Sequence, residues 1–215
     1  MPDASSCENH CPVDARDLVL ASSSPRRQEL LHSLGIRFQT DPSRGREVIT
    51  PGLDIPTVVT ELAISKAQEV AQRHRTSLII AADTLVALGT KVFGKPRDAS
   101  DARDMLLELS DGCHRVITGL VVLDAATMAF ETRVVETEVH FRELTTSEID
   151  AYLRTPEAFD KAGAYGIQGL GSVFVKRILG DYSNVVGVPL AALNDLLRGS
   201  GCCIICRRLQ ASGQD

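Results

Sequence analysis

Short apolar runs alternate along this chain with stretches of amphipathic spacing, and that alternation predicts most of its elements. Leu18-Val-Leu-Ala21 reads as a strand. Three serines follow, then Pro25, Arg26 and Arg27, then a helical spacing that ends at Gly35 and places Leu30, Leu31 and Leu34 on one face. Ser24 is placed to cap this helix through its hydroxyl, Pro25 suits its first position, and Gly35 suits the left-handed residue that closes it. Residues 36–56, punctuated by Pro42, Gly45, Pro51, Gly52 and Pro56, read as a loop with one short strand. A helix from Thr57 to about His74 shows Val58, Leu62, Ala63, Ala67, Val70 and Ala71 on one face, with Lys66 at its edge. Residues 77–88 are almost continuously apolar, as in a strand covered on both faces.

Beyond the turn at Gly89-Thr90, residues 91–93 return as a strand that Gly94-Lys95-Pro96 ends. A helix over about 99–109 follows, with Asp98 or Ser100 as its cap. Residues 115–123 and 129–142 predict a hairpin with one wet face, because Val135, Thr137, Val139 and Phe141 alternate with Glu136, Glu138, His140 and Arg142. Thr145 and Glu148 have capping-box spacing for a short helix to about Arg154. A strand over 172–178 and a final helix from Pro189 to about Arg198 complete the pattern. Helices mixed with both parallel-compatible and hairpin strands predict an α/β fold with a mixed, twisted sheet.

Candidate chemistry stands out where polar residues interrupt this pattern. The strand, serine turn and helix N-terminus at 18–27 combine free N–H groups, the positive end of a helix dipole and two guanidiniums. That is an anion site, and phosphate fits the guanidinium fork. Neither the Gly-x-x-x-x-Gly-Lys-Ser/Thr loop nor Gly-x-Gly-x-x-Gly follows the strand, so the two common nucleotide fingerprints are excluded. Asp83 breaks the apolar run of 77–88 and needs a compensating partner, either a cation or a metal. In Asp160-Lys-Ala-Gly-Ala-Tyr-Gly-Ile-Gln-Gly-Leu-Gly171, the glycines permit close backbone approach, and Lys161, Tyr165 and Gln168 are suited to polar recognition. Ser22, Ser24, Arg26, Arg27, Asp83, Lys95, Lys161 and Gln168 together suit a polyphosphate with a divalent ion.

Charge and cysteine content narrow the class. A net charge of −5 argues against a general nucleic-acid binder. No apolar run approaches a bilayer span, and the polar, acidic residues 1–17 lack a secretory apolar core. A cytoplasmic protein with no nucleic-acid or membrane partner is the expectation. The six cysteines read as thiols. Cys7, His10 and Cys11 lack the second ligand pair of a structural zinc site, and residues 199–215, with Cys202, Cys203 and Cys206, read as a frayed tail. The scattered histidines suggest no His-based triad.

Four motifs in order carry a resemblance: Ala21-Ser-Ser-Ser-Pro-Arg-Arg-Gln-Glu-Leu-Leu31, Ala82-Asp-Thr84, Gly94-Lys-Pro96 and Asp160-Lys-Ala-Gly-Ala-Tyr-Gly-Ile-Gln-Gly169. With them the chain resembles the Maf family over residues 18–198, leaving 1–17 as a flexible extension and 199–215 as a cysteine-containing tail. The resemblance implies hydrolysis of nucleoside triphosphates to monophosphate and pyrophosphate with Mg²⁺ or Mn²⁺, as a house-cleaning activity. It also implies a two-lobed fold with a deep cleft, similar to inosine triphosphate pyrophosphatases, and a possible homodimer. Arg26, Thr84 and Gln168 match the subgroup that prefers dTTP and UTP, not the one acting on 7-methyl-GTP. By the same resemblance Asp83 is the proton acceptor, Lys66 and Lys95 are functional lysines, and Glu47 lies near the metal with Asp83. Where the family often has two adjacent acids, this chain has Arg46-Glu47. Ser22, Ser24, Arg27 and Lys161 complete the expected substrate contacts. Two other functions remain open at this point: a pyrophosphatase for other modified nucleotides, and a nucleotide-sensing regulator of cell division with little turnover.

Overall fold

In a computed structural model, residues 16–45, 47 and 52–212 are described; Cys7, His10 and Cys11 of the N-terminal extension, and Arg46, lie outside them. Among the described residues seven strands form one mixed sheet: β1 (Leu18–Leu20), β2 (Gln39–Thr40), β3 (Leu78–Leu88), β4 (Lys91–Phe93), β5 (Cys113–Asp124), β6 (Phe130–Phe141) and β7 (Val175–Leu179). Their order is β2-β1-β3-β5-β6-β7, with β4 paired to β3. β1 runs parallel to both β2 and β3, whereas β3/β4 and β6/β7 are antiparallel. The helices are α1 (Pro25–Ser33), α2 (Ile55–Ala71), α3 (Ala99–Leu109), α4 (Thr146–Tyr152), α5 (Tyr182–Val186), α6 (Leu190–Gly199) and α7 (Ile204–Ser212). Among the described residues no helix is long and apolar enough to cross a membrane.

The chain divides into two compact units. The first gathers the described residues up to Asp83, Gly119–Val134 and those from Val188 onward; the second comprises Thr84–Thr118 and Val135–Gly187.

The first unit is a sheet covered on both faces, because its strands are apolar at consecutive positions. Leu18, Leu20, Leu78, Ile80, Leu120 and Val122 pack with Leu31 of α1 and with Leu193, Leu196 and Leu197 of α6. The alternate residues Val19, Ala21, Ile79, Ala81, Val121 and Leu123 pack with Ala63, Ala67, Val70 and Ala71 of α2. Small residues on α2 let it lie close to the sheet. At Gly119 a Cβ would stand 2.5 Å from the Val59 backbone, so the strand needs glycine at this crossing. Asp54 caps α2 by accepting from the Thr57 amide at 2.9 Å, with proline in its first turn, so α2 begins earlier than its apolar face alone predicts.

Within the segment expected to fray, the described residues include a helix. α7 follows Cys202 and Cys203, and Cys202, Cys203, Ile204 and Cys206 are buried. Arg207 donates to the Arg16 carbonyl at 2.7 Å, and Arg208 donates to the Gly35 carbonyl at 3.2 Å. The proximity of this segment to the chain end carried the contrary expectation; its apolar side chains outweigh that tendency once α6 and β1 offer a surface.

The second unit shows the expected one-sided strand. Thr137, Val139 and Phe141 of β6 are buried, whereas Glu136 and Glu138 are exposed. Its core centres on an aromatic group: Phe141 makes edge contacts with His114, Tyr165 and Phe174, and Tyr152 contacts Phe174. Asp98 caps α3, and Thr145 with Glu148 forms the capping box of α4. The Arg142 guanidinium holds Glu148 well below the ordinary carboxylate range, at about 2. Asp181 caps α5 through the amides of Ser183 and Asn184, a helix absent from the sequence reading because Tyr182–Val186 is too short for a visible period.

Candidate active site

In the first unit the polar interruptions converge. Residues 79, 81 and 83 share one face of β3 by the two-residue pleat, which turns Asp83 toward α2. Lys66 lies three residues after Ala63 and four before Val70, on the face of α2 that packs against that surface. Lys66 Nζ accordingly donates to Asp83 Oδ1 and pairs with Glu47 Oε1 at 2.7 Å. Asp83 is 8 % exposed, so the ammonium supplies the compensation that a buried carboxylate requires. Glu47 is much more open than either partner.

The serine turn builds the neighbouring part of this unit. Pro25 occupies the first turn of α1, and Gly35 closes that helix at φ +65°. Ser24 stands at the N-cap without a side-chain bond to the helix amides. The hydroxyl that organises the turn is instead that of the buried Ser22, which accepts from the Ser24 amide at 3.2 Å and from Arg27 at 3.4 Å. Arg27 also donates to the Ala82 carbonyl at 2.8 Å, beside Asp83. Burial lowers the Arg27 pKa from its ordinary value, and the attraction of Asp83 opposes this. Arg26 occupies the first turn of the same helix.

The second unit holds the other candidates. Thr84, next after Asp83 on β3, shares a hydrogen bond of 2.9 Å with Thr118, whose hydroxyl donates to the Asn184 carbonyl at 3.4 Å. Lys95 is exposed in the turn after β4, and the adjoining Gly94 carbonyl accepts from the Gly163 amide at 3.2 Å, which joins two of the four motifs. Within the glycine-rich segment, Lys161 donates to the Glu157 carbonyl at 2.6 Å and pairs with Asp160. Gln168 Oε1 is buried without a hydrogen-bond partner among the described residues. Tyr165, read from the sequence as a recognition residue, is instead a core residue: its hydroxyl meets His114 Nε2 at 2.8 Å, and burial raises its pKa.

Sequence reasoning missed the residues that hold these groups in place. Glu157 accepts from the amides of Leu170 and Gly171 at 2.9 and 3.0 Å and from the Tyr152 hydroxyl at 3.2 Å, clamping the glycine-rich segment. Asn184, fully buried, donates to the Val116 carbonyl and the Thr137 hydroxyl, each at 3.0 Å. Thr118 was detectable as a hydroxyl inside the apolar run of β5. Glu157 left no comparable signal, since its partners are backbone amides 13 and 14 residues away.

The start of α1, with Arg26 and Arg27, and the carboxylates of Glu47 and Asp83 that share Lys66 thus belong to one unit of a mixed α/β chain. Residues 17–200 match the family model described as Maf-like protein, and the chain belongs to that family. It is 48% identical over 176 residues to a protein of Halalkalibacterium halodurans named dTTP/UTP pyrophosphatase, spanning 82% of this chain and 92% of the relative. Proteins of the same name from Clostridioides difficile and Alkaliphilus metalliredigens are 43% and 46% identical, covering 85% and 84% of this chain and 94% of each relative. A solved HAM1 protein from Coxiella burnetii superposes with a TM-score of 0.49 at 14% identity, over 80% of this chain and 94% of that one.

Proposed function

We propose that this protein hydrolyses nucleoside triphosphates, dTTP and UTP foremost, to the monophosphate and pyrophosphate. The observation that carries this reading is the Asp83–Lys66–Glu47 group in the same unit as the Ser22–Arg27 turn. A water attacks the α-phosphorus, the bond from that phosphorus to the bridging oxygen breaks, and pyrophosphate leaves. Asp83 takes the water's proton, the role of a positioned general base. Arg26, Lys66 and Lys95 offset the charge that develops on the departing pyrophosphate. The amides at the start of α1, with Ser22, Ser24 and Arg27, orient phosphate oxygens.

The donor set of Glu47 and Asp83 fits a hard divalent cation such as Mg²⁺ or Mn²⁺: both are carboxylates, and both already face one positive charge at Lys66. When bound, such an ion would neutralise phosphate charge. Thr84 and Gln168, with Arg26, read the pyrimidine; the buried, unpartnered Oε1 of Gln168 supports this role, because a base N–H would satisfy it.

The test is pyrophosphate release from dTTP, UTP, CTP, ITP and 7-methyl-GTP by the wild type and Asp83→Asn, with Mg²⁺ and with a chelator. Release from dTTP and UTP, reduced by about 10²–10⁴-fold in a folded Asp83→Asn protein, is the expected result. Undiminished turnover in that variant would refute the assigned base. Saturable nucleotide binding without release by the wild type would make the protein a sensor.

A further inference from the structure

A second group of ligating side chains lies in the second unit and takes no part in the reaction above. Cys113 at the start of β5 and Glu138 and His140 on β6 bring Sγ, Oε2 and Nε2 to one point. Glu138 and His140 are two residues apart, so the pleat sets them on one face of β6, the face left open to water. Sγ and Nε2 are 3.5 Å apart, Sγ and Oε2 3.8 Å, and Nε2 and Oε2 3.6 Å.

These separations can be compared with the edges of a metal tetrahedron. With Zn–S of about 2.3 Å and Zn–N and Zn–O of about 2.0 Å, tetrahedral angles give S···N and S···O edges of about 3.5 Å and an N···O edge of about 3.3 Å. The three atoms already stand within a few tenths of an ångström of those edges. We propose that Cys113, Glu138 and His140 form a binding site for a zinc-class divalent cation, with the fourth position open to water or an exogenous ligand. Thiolate and imidazole donors select a borderline ion such as Zn²⁺ over Mg²⁺, so the site is chemically distinct from the carboxylate pair of the first unit.

The geometry also separates this reading from a nucleophilic relay. In a Cys-His-acid relay the thiol and the acid address opposite nitrogens of the imidazole. Here sulfur and carboxylate both face Nε2, so three donors surround one point. Arg177 competes for it. Directly opposite His140 in the β6/β7 register, Arg177 places its terminal nitrogen 3.4 Å from the same Nε2. Its side chain is exposed, so it can swing away at small cost.

Titrating the reduced full-length protein with Co²⁺ and Zn²⁺ in excess Mg²⁺ tests the proposal. One equivalent of Co²⁺ is expected to give a thiolate-to-cobalt charge-transfer band that Zn²⁺ displaces. Cys113→Ser and His140→Gln are each expected to abolish the band and weaken Zn²⁺ binding at least tenfold. Arg177→Met is expected to tighten it several-fold. A Cys7→Ser/Cys11→Ser protein, which lacks the other Cys-His grouping in the sequence, is expected to bind as the wild type does. Circular dichroism of each variant establishes that it is folded. Absence of the band in the wild type, its survival in folded Cys113→Ser, or its loss in the Cys7→Ser/Cys11→Ser protein would each overturn the assignment. The readout is metal binding, so it stands or falls apart from nucleotide hydrolysis.

Discussion

One polar cluster in each unit is held by opposite means. In the first, Asp83 sits on a strand covered on both faces, and the chain supplies its counter-charge through Lys66 on the covering helix. In the second, Glu138 and His140 on the open face of β6 and Cys113 at the exposed start of β5 meet one another and Arg177 at the surface. A covered sheet must neutralise a carboxylate internally, because an unpaired buried charge costs several kcal/mol. An open face has no such obligation and leaves its donors available to an outside ion. Two of the sequence motifs are also held differently: Arg27 is anchored to the backbone of β3, whereas the glycine-rich segment is held by the side chain of Glu157.

The strongest way to break this comparison is Lys66→Met. It leaves Asp83 without its ammonium, and we expect a loss of about 3–5 kcal/mol of stability together with most pyrophosphatase activity. Asp83→Asn combined with Lys66→Met should recover part of the stability and none of the activity, as urea denaturation and pyrophosphate release would show. A Lys66→Met protein as stable as the wild type would mean that Asp83 needs no internal partner.

Lowering the pH probes the buried side of the second unit. Burial pushes the His114 pKa down to about 4 from the ordinary 6.5. The unfolded chain therefore binds a proton that the folded one refuses, and stability falls as pH drops from 6.5 toward 4. The full effect is on the order of 3 kcal/mol over that window. His114→Phe should flatten the slope in denaturation series across this range; an unchanged slope would assign the acid sensitivity elsewhere. His114 and Cys113 are neighbours on one strand, the first buried and the second exposed, so the test samples the covered face alone.

A smaller effect is expected at Glu157. Glu157→Gln weakens the two amide bonds that hold Leu170 and Gly171, at about 1–2 kcal/mol. Faster hydrogen exchange confined to about residues 166–172, with a raised KM for dTTP and little change in kcat, would mark the loosened segment. Unaltered exchange there would show that the glycine-rich backbone holds its course without the clamp.

Much of this protein was legible in its sequence because the relevant interactions are local. The two-residue period of β6, the capping box at Thr145 and Glu148, Pro25 at the start of α1 and the apolar face of α2 are read from neighbours a few residues apart. The interruption at Asp83 announced a compensated charge for the same reason, and the four motifs placed the chain among its relatives. Which cation meets Asp83, which group receives Tyr165 and which acid clamps the glycine-rich segment depended on packing across distances in sequence of 17, 51 and 13 residues. The three-donor cluster likewise needed β5 and β6 in register, and α7 needed a surface to settle on. Periodicity states which side of an element is buried; only the order and register of the sheet decide what it is buried against, because those follow from the joint packing of every element at once.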